Sequence, residues 1–130
     1  MGLDIYFLKR KRSSENKSEY HEKELAYFRK VNCLVAFFED QYGFDRNDLA
    51  IVITKEMVND LIERCDEVLL NPELAPDRMP NTGGFFFGST AYDEYYFDDL
   101  EDIIRNMKEY VLPEFDKLKD NEDIVFYTSW

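Results

Sequence analysis

The sequence is poor in the residues on which many catalytic and metal sites depend. It has one histidine, His21, and two cysteines, Cys33 and Cys65, in 130 residues. A structural zinc site draws on about four His, Cys or carboxylate ligands. Around His21 there are only Glu15, Glu19, Glu22 and Glu24, with no second His or close Cys pair. Each cysteine falls on the apolar side of an expected helix, and a pair of reduced core thiols fits that placement better than a bridge between them. Apolar runs are also short. None reaches eighteen residues, so nothing in the chain is expected to span a membrane. The opening MGLDIYFLKRKR has too short an apolar part for a secretory leader, and its charges follow that part instead of preceding it. Tyr6 stands where a myristoylation signal wants Ser or Thr. The expected location is the cytoplasm.

Known site motifs are missing too. No Gly-Lys-Ser/Thr phosphate loop, dinucleotide glycine spacing, nucleophile elbow or calcium loop occurs. No enzyme motif and no cofactor are read from the chain.

What is abundant is acid and aromatic surface. Eleven Phe, nine Tyr and one Trp make up 16% of the chain, more rings than a small core requires. Tyr tolerates one wet edge, so some of these rings are expected to line a surface or cleft. The net charge of −12 is unevenly spread: residues 1–30 carry eight Lys/Arg against five Asp/Glu, whereas residues 31–130 carry eight against twenty-three. An acidic body repels phosphates, so direct nucleic-acid binding is not expected. A basic protein partner is compatible with it. The sequence does not fix an oligomeric state.

Hydrophobic periodicity predicts one α+β domain over residues 1–130. Leu3–Leu8 alternates as a strand. KRKRSSENKS has no apolar residue and reads as a solvated loop. From Glu19 or Tyr20 to Tyr42 the apolar residues recur at three- and four-residue spacing, which predicts a first long helix, central and covered on more than one side, ended by Gly43. Asn32 lies in its apolar stripe and would need a hydrogen-bond partner if buried. Leu49–Ile53 reads as a short strand or buried loop. Thr54 is a good N-cap for a second helix running to about Leu70. Residues 71–84 hold three of the four prolines and form a long irregular connection. Phe85–Phe87 reads as a brief strand or a plug of rings. A third helix is expected from near Asp93, with Pro113 kinking or restarting it. Ile124–Trp130 reads as a terminal strand paired with the first. The fold expectation is therefore three main helices on a small sheet made mainly by the N- and C-terminal strands.

Within this plan, Asn81–Tyr110 is the stretch where a site is expected. The candidate binding residues are Tyr92, Asp93, Glu94, Tyr95, Tyr96, Asp98 and Asp99. Clustered carboxylates suit hard cations, but carboxylates in a first helical turn also offset the macrodipole with no ligand at all. No metal site is assigned. Tyr92, Tyr95, Tyr96 and Tyr110, with Trp130, suit interface anchors. Tyr92 and Tyr96 could equally pack on the terminal strand.

The opening MGLDIY, the segment FFFGSTAYDEYY and the ending YTSW occur together in this chain. In these features it resembles a group of small phage, prophage and bacterial proteins for which no activity is established. The resemblance implies a phage or mobile-element context and carries over no catalytic residue, cofactor or partner. The leading expectation is a non-enzymatic protein-interaction module presenting an acidic aromatic surface. The alternatives are an acidic nucleic-acid mimic that inhibits a DNA-binding protein and a divalent-cation-dependent enzyme that uses the acidic cluster.

Overall fold

A hairpin opens the chain. In the computed structural model, which describes residues 2–12, 20–48, 50–84 and 86–130 without the side chains of Arg12, Tyr20 and His21, strand β1 (Asp4–Arg12) pairs antiparallel with strand β2 (Tyr20–Arg29). The expected long helix from Glu19 or Tyr20 is therefore corrected: its first half is β2, and helix α1 covers only Asn32–Tyr42. The helical reading failed because a bulge imitates helical spacing. Phe7 faces Ala26 while Leu8 faces Glu24, so Leu25 is an extra residue in the ladder. With that offset, Leu25, Ala26 and Phe28 are all buried from a strand. Cross-strand rings hold the register, Tyr6 against Tyr27 at 5.1 Å and Phe7 against Phe28 at 6.0 Å. Lys30, at φ 59°, then turns the chain out of the sheet. The basic run is corrected as well. Lys9–Arg12 continues β1 instead of forming a loop, while 13–19, with Glu15 and Glu19, lies outside the described residues. His21, which the expected helix from Glu19 or Tyr20 would contain, is on β2.

The sheet has the order β2-β1-β4-β3, with every neighbouring pair antiparallel. Strand β4 (Glu122–Ser129) lies beside β1, with Asp4 opposite Ser129, so the strands at the two ends of the sequence pair. Strand β3 (Ala50–Val52) is short and on the other edge; Leu49 is outside the described residues.

One face of the sheet carries Ile5, Phe7, Phe28, Ile124 and Phe126 into the core. Helix α1 lies on it through Phe38, whose ring is 4.4 Å from that of Phe126. Seven consecutive residues of α1, Asn32–Phe38, are buried, which requires cover around the whole helix. Each of Leu34, Val35, Phe37 and Phe38 so buried contributes roughly 1.5–3 kcal/mol. Gly43, at φ 69°, ends α1 in the left-handed conformation.

Helix α2 (Lys55–Leu70) starts at Thr54, whose hydroxyl accepts the Met57 N–H at 3.2 Å, as its sequence predicts. The proline-rich connection contains a 3-10 turn (Pro72–Leu74) and the short helix α3 (Ala75–Arg78). Helix α4 (Glu94–Asn106) packs against α2. It runs into a π-helical turn (Met107–Val111) and the short helix α5 (Leu112–Phe115). The π turn precedes Pro113, which has no N–H to continue a regular ladder, so the helix restarts there. Cys33 and Cys65 are buried free thiols. No helix among the described residues is long and apolar enough to cross a membrane.

Candidate binding cleft

Phe87 fixes the segment that leads into α4. Its buried ring has Arg46 over it at 5.1 Å and Trp130 edge-on at 5.4 Å. Of the expected plug or strand at Phe85–Phe87, Phe87 alone is a buried ring: Phe86 is 45% exposed, neither is in a strand, and Phe85 lies outside the described residues. Asn32 holds the same segment from below. Its side-chain amide donates to the carbonyls of Phe87 at 3.0 Å and Ser89 at 2.9 Å, and its Oδ1 accepts the Thr82 N–H at 3.0 Å. The polar residue in the apolar stripe is thus fully used, as burial demands.

A cleft of about 250 Å³ opens between that segment, the first turns of α4 and the link from β2 to α1. Asp93, Tyr95, Tyr96 and Asp99 line one wall; Arg29, Lys30 and Cys33 contribute the other, with Asn81, Ser89 and Ala91 between them. Asp93 is the N-cap of α4, its Oδ1 accepting the Tyr96 N–H at 3.2 Å. That capping bond fixes where the next turn starts and so points Tyr95 outward while Tyr96 turns in. Tyr95 is 71% exposed. Tyr96 is buried and donates its hydroxyl to the Met79 carbonyl at 2.6 Å.

Asp99, one turn further along, is half-buried and makes no ion pair or hydrogen bond with a described residue. Burial, and then the charges of Asp102, Asp98 and Asp93, push its carboxyl up to about 6. The cations of Arg29 and Lys30 do not relieve it: neither forms an ion pair with it, and Arg29 is paired with Asp4 at 3.4 Å. Beneath, burial pushes the Cys33 thiol up to about 12, with the Asp99 charge adding to it. A thiol held protonated in this way is a poor nucleophile and a poor metal ligand.

The other candidate residues are placed elsewhere. Tyr92 packs edge-on to Tyr96 at 5.0 Å, and its hydroxyl accepts the Asn81 N–H at 3.1 Å. The ring of Trp130 packs edge-on to Phe87. Glu94 and Asp98 point away from the cleft on the exposed side of α4. Among the described residues no group of three or more His, Cys, Asp or Glu is arranged to hold a metal ion. Tyr110 is exposed on the π turn, away from the cleft.

Arg29, Lys30 and Cys33 went unrecognised as lining in the sequence. They are distant from α4 along the chain, and only the turn after β2 brings them to it. No protein-family model matches the chain, and neither does a curated protein or a solved structure.

Proposed function

We propose that the protein is a non-enzymatic interaction module whose α4 cleft grips a basic side chain of a partner protein. The observation that carries this reading is a half-buried carboxylate, paired with no described residue, next to an exposed ring: Asp99 and Tyr95 both line the cleft, one helical turn apart. A Lys or Arg seated there would neutralise Asp99 and lie against the ring of Tyr95, a cation–π contact added to an ion pair. Tyr is also a frequent anchor in protein interfaces. The phage or mobile-element setting belongs to the same proposal and is supported by the sequence resemblance alone.

Binding of a cation would favour ionised Asp99 and release a proton, so affinity should rise with pH through about 6. The test is affinity capture from the native host, with the wild type compared against Tyr95→Ala and Asp99→Asn. A basic partner held by the wild type and lost by both variants supports the reading. An unchanged set of partners in both variants rejects it.

One observation favours the nucleic-acid mimic as a second reading. Glu94, Asp98 and Glu101 form an exposed stripe on α4, and Glu56, Glu63 and Asp66 an exposed stripe on the neighbouring α2. None of the six forms an ion pair with a described residue. On α4 the stripe repeats every three or four residues, about 4.5–6 Å of rise, whereas on α2 Glu56 and Glu63 are two turns apart. Displacement of DNA from the captured partner by the wild type, but not by a variant with Glu94, Asp98 and Glu101 changed to Gln, would select this reading. The cation-dependent enzyme has no comparable support among the described residues, since no convergent group of three acids is found there.

A further inference from the structure

The helices pack on one face of the sheet, and the other face presents side chains of a different kind. Residues paired across the ladder share a face, so Tyr6 has Tyr27 on one side and Tyr127 on the other. The rings are 5.1 Å and 5.8 Å apart by centroid and tilted at 48° and 46°. Tyr6, Leu8, Glu22, Glu24, Tyr127 and Ser129 line a shallow, open recess of about 380 Å³ that spans β2, β1 and β4.

Charges on this face are unequally used. Arg10 donates to the Asp123 carboxylate through two bonds of 3.1 Å. Arg29 pairs with Asp4 at 3.4 Å, and Asp4 also accepts the Tyr27 hydroxyl. Glu22 and Glu24 remain exposed, with no ion pair to a described residue. Charges on an edge strand deter edge-to-edge pairing, which explains acids on β2 but not tyrosine rings set beside them. Two carboxylates that pair with no described residue, lining one recess with tyrosine rings, are complementary to an organic cation.

We infer that this open sheet face docks a lysine-bearing extended peptide of a partner, with one ammonium seated in the recess against Tyr6, Tyr127, Glu22 and Glu24. A peptide fits better than a small free cation because exposed apolar surface continues on both sides of the recess. Tyr27 on β2 is 43% exposed and Val52 on β3 46%. Both share the outward face by register, and a chain crossing the strands covers both. This site does not depend on the α4 cleft.

The probe is octalysine, titrated into the 130-residue protein at about 0.15 M salt, where the screening length is about 8 Å, and followed by residue-resolved NMR. Saturable shifts are expected at Tyr6, Leu8, Glu22, Glu24 and Tyr127, with affinity reduced about fivefold or more in a Glu22→Gln/Glu24→Gln variant. The same shifts should persist in Tyr95→Ala/Asp99→Asn, which separates this site from the cleft. Shifts confined to α2 and α4, or undiminished in the Glu22→Gln/Glu24→Gln variant, would overturn the inference. So would tetramethylammonium binding the recess as tightly as octalysine, because a free cation would then suffice. Native amide dispersion in each variant shows that loss of binding is not loss of fold.

Discussion

The Asn32 side chain donates to the Phe87 carbonyl at 3.0 Å across a separation of 55 residues. With its bonds to Ser89 and Thr82, this one amide joins the start of α1 to both sides of the loop ahead of α4. Asn32→Leu should cost about 3 kcal/mol, because the buried Phe87 carbonyl and the part-buried Ser89 carbonyl and Thr82 N–H all lose their partner. Asn32→Asp should fare no better: it keeps an acceptor for Thr82 but loses both donors. Chemical denaturation measures the cost. Hydrogen exchange should show faster exchange at Thr82 than in the wild type.

Two glycines separate backbone strain from steric conflict. Gly43 and Gly88 both have positive φ, 69° and 86°. A Cβ at Gly43 would meet nothing within 4 Å, whereas at Gly88 it would lie 3.0 Å from the Lys30 Cβ and 3.4 Å from the Lys30 carbonyl oxygen. Gly43→Ala should therefore cost about 1 kcal/mol, from the left-handed conformation alone. Gly88→Ala should cost more, because Lys30 is itself held at φ 59° and has little room to retreat. Equal melting temperatures for the two variants would contradict this.

Local signals explain which parts of this architecture can be read from the sequence. Thr54, Gly43 and Asp93 act within one turn of their own position, and each marks a helix end where expected. Alternation marks Leu3–Leu8 as a strand and Ile124–Trp130 reads as a second, although both observed strands differ at their ends. Tyr20–Arg29 was not legible as a strand. Its burial depends on a partner strand and on a bulge at Leu25, and neither is a property of its own periodicity. The same distinction applies to the cleft. Asp93, Tyr95, Tyr96 and Asp99 lie close together in the sequence, whereas Arg29, Lys30 and Cys33 reach them only through the hairpin and the turn at Lys30. That turn depends on a lysine in a conformation the residue type does not advertise.

Tyr96 and Tyr92 share a ring contact but should respond differently to loss of their hydroxyls. Tyr96 donates to the Met79 carbonyl from a buried position. Tyr96→Phe leaves that carbonyl without this donor and should cost about 1–2 kcal/mol. The Tyr92 hydroxyl accepts the Asn81 N–H at an exposed site, where water can substitute. Tyr92→Phe should stay within about 0.5 kcal/mol of wild type. Urea denaturation of the two variants side by side checks both values, and a larger loss for Tyr92→Phe would refute the assignment.

Asp99 should make stability depend on pH in the direction opposite to a paired carboxylate. Its folded-state value lies near about 6 because of burial and then the acids around it. An aspartate in an unfolded chain ionises at about 3.9. Between these values the native protein holds a proton that the unfolded chain has already lost. Stability contributed by this residue must therefore fall as pH rises from about 4 to about 6, and level off above that. The full shift corresponds to about 3 kcal/mol, but solvent screening at a half-exposed carboxylate reduces the expectation to about 1 kcal/mol. Asp99→Asn has nothing to ionise. It should match the wild type at about pH 4 and exceed it by about 1 kcal/mol at about pH 7.5. Subtracting the two denaturation series isolates this residue, because the other carboxylates titrate in both proteins. A difference that stays constant across the range would show that Asp99 ionises normally, and would remove the buried charge on which the cleft's preference for a cation rests.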